Sequence, residues 1–146
     1  MQIDDTDHAL IDLLRQNART PVATLARRLN LARTTVQARL DRLESSGVIA
    51  GYTLRLSDRL RAPLHATALV SIEPRSAPAV LARLKSLSGV RTVHTTSGRF
   101  DLIVGLEAET TEALDDTLDR IGETRGVKGS ESLIHLSTKL DRRGGA

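Results

Sequence analysis

The period at which apolar residues recur changes once along this chain of 146 residues, and no other feature constrains the fold as strongly. Up to about residue 50, apolar residues recur every three or four positions, as on amphipathic helices. Over residues 66–72 they alternate with polar residues, and helical and alternating segments then follow one another. The sequence therefore predicts a helical N-terminal domain followed by a mixed α+β domain.

The N-terminal segment predicts three short helices. Asp4 is the expected cap of the first helix, and Thr20 is the expected cap of the second, with Pro21 at its first position. Asn30 can close the second helix in a left-handed turn, and the third is expected to begin near residue 32 or 33. The predicted buried stripes are Leu10, Leu13 and Leu14, then Val22, Leu25, Ala26 and Leu29, then Val36, Leu40 and Leu43. This spacing predicts a helix-turn-helix, whose third helix can lie in the major groove of DNA.

The C-terminal segment predicts two rounds of strand and helix. Ser76 is the expected cap of the first helix, Thr110 or Thr111 is that of the second, and Gly126 is its expected end. The predicted strands are residues 66–72, 90–97, 100–107 and 132–138. This βαββαβ order is that of a ferredoxin-like fold. Two helices on one face of an antiparallel sheet leave the other face bare, so we expect a homodimer formed through that face.

These patterns indicate an α+β protein with an N-terminal helix-turn-helix (winged-helix-like) domain and a C-terminal ferredoxin-like domain. We assign residues 1–56 to the DNA-binding domain, 57–64 to a linker, 65–140 to the ferredoxin-like oligomerisation domain and 141–146 to a flexible tail.

The positive charge is concentrated in one segment. The net charge is only +3, but residues 13–62 hold ten arginines against three acidic residues. Such a surplus is either an ordinary solvated face or the electrostatic footprint that a phosphate backbone requires.

Several classes of protein are disfavoured. The chain has no cysteine, which excludes disulfides and thiolate metal sites and is typical of the cytoplasm. Its four histidines lack the close spacing of a zinc site, and no catalytic motif is present, so we expect no metal, no cofactor and no enzyme activity. An enzyme with a ferredoxin-like catalytic domain stays a minor alternative. No apolar run approaches the roughly 18 residues of a membrane span, and the acidic N-terminus is unlike a signal peptide, so we expect no membrane partner.

Candidate DNA-binding residues lie on the outer faces of the second and third predicted helices. They are Arg27, Arg28, Arg33, Thr34, Thr35, Gln37 and Arg42. The second helix of such motifs crosses the DNA backbone and the third contacts base edges, although Thr34 and Thr35 could instead satisfy the first N–H groups of their helix. Arg39 lies near the apolar stripe, where it either pairs with a carboxylate inside the domain or contacts phosphate.

The chain resembles the Lrp/AsnC family of feast/famine regulators over nearly its whole length. The residues that carry the resemblance are Ile3, Asp4, Asp7 and Leu10, then Leu25, Ala26 and Leu29, then Arg39, Leu40, Leu43 and Glu44, then Gly47, Val48, Ile49, Gly51 and Tyr52, and finally Gly89, Val90 and the run Gly98, Arg99, Phe100 and Asp101. The resemblance implies a DNA-binding domain joined to a module that dimerises through its sheet, commonly forms octamers and often binds an amino acid between dimers.

The resemblance also implies that the predicted hairpin contributes to an effector pocket at a subunit boundary. Its candidate residues are Thr96, Gly98, Arg99, Phe100 and Asp101. Arg99 could bind a carboxylate, Asp101 could accept from an ammonium group, and Gly98 would let a ligand approach the backbone. Alternatively, Gly98 and Asp101 only shape the turn, and Arg99 pairs with Asp101 or faces solvent.

The sequence thus favours a cytoplasmic, sequence-specific DNA-binding transcriptional regulator that is modulated by an amino acid or a related small molecule. Its expected partners are double-stranded DNA, a second copy of the chain and the effector. The alternative is an architectural DNA-binding protein without a small-molecule effector.

Overall fold

The computed structural model describes residues 2–57, 60 and 63–140. Contacts within the chain define one unit through Arg55 and a second unit over Leu56–Lys139. The predicted tail, residues 141–146, lies outside the described residues. Of the predicted linker, residues 57–64, positions 58, 59, 61 and 62 also lie outside them. The domain boundaries stay predictions, and the first strand begins at Leu64.

Three helices form the first unit: α1 (Asp5–Gln16), α2 (Val22–Leu29) and α3 (Arg33–Ser45). Asp4 caps α1 as predicted, and the Asp4 and Asp7 side chains accept hydrogen bonds from each other's backbone N–H groups at 2.8 and 3.3 Å. The prediction that Thr20 caps α2 is wrong. Pro21 occupies the cap position, and the Thr20 hydroxyl donates instead to the carbonyl of Asn17 at 2.7 Å.

The apolar stripes of these helices meet in one core. Its buried members are Leu10, Leu14, Leu25, Ala26, Val36, Leu40 and Leu43, while Leu13, Val22 and Leu29 pack around them half-buried. Asn30 adopts the predicted left-handed conformation, with φ of 54°, and this turn sets the direction of α3 relative to α2. The helix-turn-helix prediction is confirmed.

The segment after α3 folds back onto that helix. Gly47 ends the helix with φ of 74°, and the next turn lets the Ile49 N–H donate to the Leu43 carbonyl at 3.0 Å. The Tyr52 hydroxyl donates to Glu44 at 2.7 Å, and this hydrogen bond raises the pKa of Tyr52 to about 12. Residues 46–57 contain no strand.

The second unit is a four-stranded antiparallel sheet covered by two helices. The strands are β1 (Leu64–Ile72), β2 (Val90–Thr95), β3 (Leu102–Ala108) and β4 (Val127–Ile134), and the helices are α4 (Ala77–Ser86) and α5 (Thr111–Gly122). The strand order is β2-β3-β1-β4, which confirms the ferredoxin-like prediction. The core consists of one face of β1 and β3 packed against Val80, Leu84, Leu114 and Ile121 of the helices.

Several predicted ends differ in this unit. Thr110 caps α5, but that helix ends at Gly122, and Gly126 forms a left-handed turn just before β4. Ser76 makes no capping hydrogen bond, because it lies in a 3-10 turn (Pro74–Ser76) with helical rather than extended backbone angles. The last strand lies about five residues earlier than predicted, since its pairing with β1 runs only from Val127 to Ile134.

Candidate nucleic-acid interface and hairpin pocket

The outer faces of α2 and α3 carry all the predicted DNA-binding residues, and all of them are exposed. They are Arg27, Arg28, Arg33, Thr34, Thr35, Gln37 and Arg42. The burial of Leu25 and Ala26 on α2 and of Val36, Leu40 and Leu43 on α3 turns these residues away from the core.

Three of the arginines carry charge that the described part of the chain leaves without an ion-pair partner. Arg27 and Arg28 lie in the last turn of α2, and Arg33 is the first residue of α3. Ala32 at the cap of α3 offers no side-chain acceptor, so no side chain caps the first N–H groups of that helix. The start of α3 is therefore electropositive, through both Arg33 and the helix dipole.

Two predicted contact residues are engaged within the domain. The Gln37 side-chain amide donates to Asp41 at 2.8 Å, on the same face of α3. Arg42 donates to the Asp7 carboxylate at 2.5 Å and remains 46% exposed. Both side chains reach the surface, but each would share its donor groups with an existing acceptor.

Asp4, Asp7, Arg39 and Arg42 form an ion-pair network that joins the start of α1 to α3. Arg39 donates to Asp4 at 2.7 Å and to Asp7 at 2.8 Å, which resolves its two alternatives in favour of pairing inside the domain. The Asp7 side chain is 0% exposed and Arg39 is 24% exposed. The contact of Asp7 with α3 was not predicted from the sequence, and the spacing of three residues in both Asp4/Asp7 and Arg39/Arg42 is the signal that indicates it.

The network stabilises the charged forms of its members. Burial acts to raise the pKa of Asp7, but hydrogen bonds from Arg39 and from the Asp4 backbone, together with the charge of Arg42, outweigh it and lower that pKa. The hydrogen bond from Arg39 likewise lowers the pKa of Asp4. The pKa of Arg39 is raised in turn, chiefly by its hydrogen bond to Asp4.

A shallow concavity of about 480 Å³ lies on α3 beside this network. Its lining residues are Thr34, Thr35, Ala38, Arg39 and Arg42. Ala38 is exposed and is the shortest of them. Ala38 is not among the DNA-binding residues predicted from the sequence.

The bare face of the second unit's sheet carries apolar side chains. Leu69 is half-buried, Ile103 is its partner on β3, and Leu133 lies on β4, with Ile103 and Leu133 37% and 55% exposed. These residues point away from the core, so neither α4 nor α5, the two helices described in this unit, covers this apolar face.

A pocket of about 500 Å³ opens on this face beside the β2–β3 loop. Its lining residues are Leu69, Thr95, Thr96, Ser97, Arg99, Phe100 and Ile103. Of the predicted effector residues, it brings together Thr96, Arg99 and Phe100 but not Gly98 or Asp101. Gly98 has φ of 115°, a backbone conformation that residues other than glycine rarely adopt.

The two charged residues of the loop already have partners. Arg99 donates to Glu131 on β4 at 2.7 Å, and its guanidinium lies 5.1 Å from the centre of the Phe100 ring. The Asp101 carboxylate accepts from the Ile72 N–H at 2.8 Å, and the Asp101 N–H donates to the Val70 carbonyl. Asp101 therefore holds the loop against the end of β1.

Two kinds of feature are not found in the part of the chain that is described. No cluster of three or more metal-ligating side chains occurs among residues 2–57, 60 and 63–140. None of the helices in those ranges has the length and apolar character needed to cross a membrane.

Both units match domains of known protein families. An AsnC-type helix-turn-helix domain matches residues 3–44, and an Lrp/AsnC ligand binding domain matches residues 65–144. The transcriptional regulator LrpA of Mycobacterium tuberculosis is 31% identical over 146 residues, which cover 97% of this chain and 95% of that protein.

Solved structures share the fold. AsnC of E. coli superposes with a TM-score of 0.88 at 24% identity over 97% of both chains. NMB0573 of Neisseria meningitidis, solved as an L-Met complex, superposes with a TM-score of 0.87 at 23% identity over 96% of this chain and 94% of its own. With both of its domains matched, the chain belongs to the Lrp/AsnC family of transcriptional regulators.

Proposed function

We propose that this regulator binds DNA as a homodimer through α3 and that an amino acid in the hairpin pocket modulates its binding. The observation that carries the DNA-binding part is the group of three exposed arginines, Arg27, Arg28 and Arg33, around the uncapped start of α3. Charge left unpaired on one surface is what a phosphate backbone neutralises.

The residues of this surface have different roles in the proposal. Arg33 reads a guanine edge in the major groove, where its planar fork matches the O6 and N7 acceptors. Arg27 and Arg28 contact phosphates, because the second helix of such a motif crosses the backbone. Thr34 and Thr35 contact base edges, while Gln37 and Arg42 contribute secondary contacts, since Asp41 and Asp7 already occupy some of their donors.

The proposed dimer uses the bare face of the sheet. Leu69 and Ile103 expose apolar surface there that a second copy would remove from water. A two-fold axis would present two copies of α3 to half-sites about one helical turn apart, or a multiple of it, so the expected site is palindromic. Octamers, and a location in the cytoplasm, are expectations that come with the family.

The proposed effector is an amino acid with an apolar side chain. Phe100, Leu69 and Ile103 supply apolar lining, so the ligand would lie at the boundary with the second copy, and Arg99 can bind its carboxylate group. Arg99 would exchange Glu131 for the ligand at small cost, because an exposed ion pair is worth only about 0–1 kcal/mol. The L-Met complex of the similarly folded NMB0573 supports this class of ligand.

One observation favours the alternative, an architectural DNA-binding protein without an effector. Arg99 and Asp101 are both satisfied by partners within the chain, so neither needs a ligand. In that case the second unit only assembles subunits.

Calorimetric titration of the full chain with amino acids separates the two functions. We expect one or more apolar amino acids to bind, Arg99→Met to weaken binding at least tenfold, and the matched control Arg91→Met, which removes an exposed pair with Glu107, to bind normally. Asp101→Asn keeps an acceptor for the Ile72 N–H, so this variant tests whether the negative charge of Asp101 contributes to amino-acid binding. Absence of binding by every amino acid, with DNA binding intact, would contradict the proposed effector and favour the architectural alternative.

A further inference from the structure

We propose that the concavity on α3 reads the 5-methyl group of a thymine, with Ala38 as its floor. The inference rests on the proposed function, because it assumes that α3 lies in the major groove. It goes further by assigning base specificity to a residue that carries neither a charge nor a hydrogen-bonding group.

The helix geometry places the lining residues together. Thr34, Ala38 and Arg42 follow one another at intervals of four residues, and Thr35 lies three residues before Ala38, so their side chains share one face of α3. The concavity of about 480 Å³ is shallow and open, and it is large enough for the edge of a base rather than for a methyl group alone.

The ion-pair network keeps the concavity open. Arg39 and Arg42 line it, but their guanidinium groups are bound to carboxylates of Asp4 and Asp7 at the start of α1. Next to it, the Gln37 side chain is bound to Asp41. The long polar side chains around Ala38 are thus bound to acidic partners. The short side chains of Thr34, Thr35 and Ala38 are available to contact a base.

The chemistry of the lining fits thymine better than the other bases. Thymine presents the C5 methyl group and the O4 acceptor in the major groove, whereas cytosine presents an amino donor and no methyl group. Ala38 and the methyl groups of Thr34 and Thr35 offer apolar contact, and the threonine hydroxyls can donate to O4. A phosphate is disfavoured in this position, because the guanidinium groups of Arg39 and Arg42 are already bound to the carboxylates of Asp4 and Asp7.

The test begins with a duplex selected for tight binding from a random pool. Each thymine in one half-site is then replaced singly by deoxyuridine, which removes only the methyl group. At one position, or two adjacent ones, we expect affinity to fall about fourfold, the effect of losing one buried methyl group. Uniform affinity across all the uracil duplexes, with specific binding retained, would overturn this inference and leave the proposed function standing.

A second variant assigns the contact to Ala38. In Ala38→Val the two added methyl groups occupy the space directly above Ala38, where the thymine methyl group would lie, so the sensitive position should bind uracil as well as thymine or better. The matched control Ala82→Val makes the same change at an exposed position of α4 and should keep the fourfold preference for thymine. Circular dichroism would check that both variants fold. An Ala38→Val protein that still prefers thymine fourfold would overturn the assignment, and failure to select any specific duplex would overturn the proposed function as well.

Discussion

Individual arginines of the first unit differ in whether they form ion pairs within the protein. Arg39 is bound to two carboxylates, whereas Arg27 and Arg33 have no ion-pair partner in the described ranges. Composition cannot separate these cases, because all three belong to the same arginine-rich segment. Their different surroundings lead to different expectations for DNA binding.

Arg33→Ala is expected to weaken binding to the selected duplex by about 1–3 kcal/mol and to relax the base preference at one position, because a bidentate contact to guanine is lost. Affinities for a set of duplexes with single base changes would measure this. Equal weakening on every duplex would mean that Arg33 contacts phosphate instead.

Arg27→Ala is expected to weaken binding to all duplexes similarly and to reduce the slope of log affinity against log salt by about one unit, since one phosphate contact is lost. Binding measured at several salt concentrations gives the slope. If the slope of the variant matches that of the wild type, Arg27 faces solvent.

The helices of the first unit are held together by charge as well as by their apolar core. Asp7 is fully buried where α1 meets α3, with Arg39 and Arg42 as its partners. A buried carboxylate destabilises a domain unless cations and hydrogen bonds compensate it, and here they do. The lowered pKa values of Asp4 and Asp7 are the consequence.

This network predicts how stability depends on pH. Because the pKa values of Asp4 and Asp7 are lowered in the folded state, their contribution is complete above the ordinary value of 3.8 and is lost as the pH falls through the lower folded values. Asp7→Asn should lower the free energy of unfolding by about 1–3 kcal/mol at neutral pH and flatten its dependence below about pH 4.

Urea unfolding of the full chain at several pH values, followed through the helical signal, would measure both effects. Asp12→Asn is the control, because Asp12 is an exposed residue of the same helix, 4.0 Å from Arg15. A slope against pH in Asp7→Asn as steep as in the wild type would show that the charge of Asp7 does not stabilise the domain.

The helices and strands could be predicted from the sequence where local patterns decide them. The stripes of α2 and α3, the turn at Asn30 and the cap at Asp4 depend on neighbouring residues, and all are confirmed. The position of β4 depends instead on its pairing with β1, a partner far away in the chain, and so does not follow from local alternation. The partners of Arg42 and Arg99 are similarly distant, 35 and 32 residues away, so local patterns could not show that their charges are already paired.

The complete molecule joins a unit that presents a basic helix to one that leaves a sheet face uncovered. The first could bind DNA alone, but a single copy of α3 would contact only one half-site. The proposed dimer through the sheet would double that contact, and the pockets beside Arg99 and Phe100, which open on the same face, would lie at the dimer interface. Assembly is therefore the step that connects effector binding to DNA binding in this account.

Ile103→Glu is expected to dissociate the dimer, raising its dissociation constant at least tenfold, because it places a charge in the centre of the buried apolar face. Sedimentation of the full chain at micromolar concentration would measure this, with Ala82→Glu on the opposite, helical side as the control. An Ile103→Glu protein that remains a dimer would place the interface elsewhere.

The most direct test of the account is the affinity of the full chain for its selected duplex and for a scrambled duplex of the same composition, at one fixed salt concentration. We expect the selected duplex to be two-fold symmetric and to bind at least about a thousandfold more tightly than the scrambled one, with one dimer per site. Equal affinity for the two duplexes would contradict sequence-specific recognition by α3.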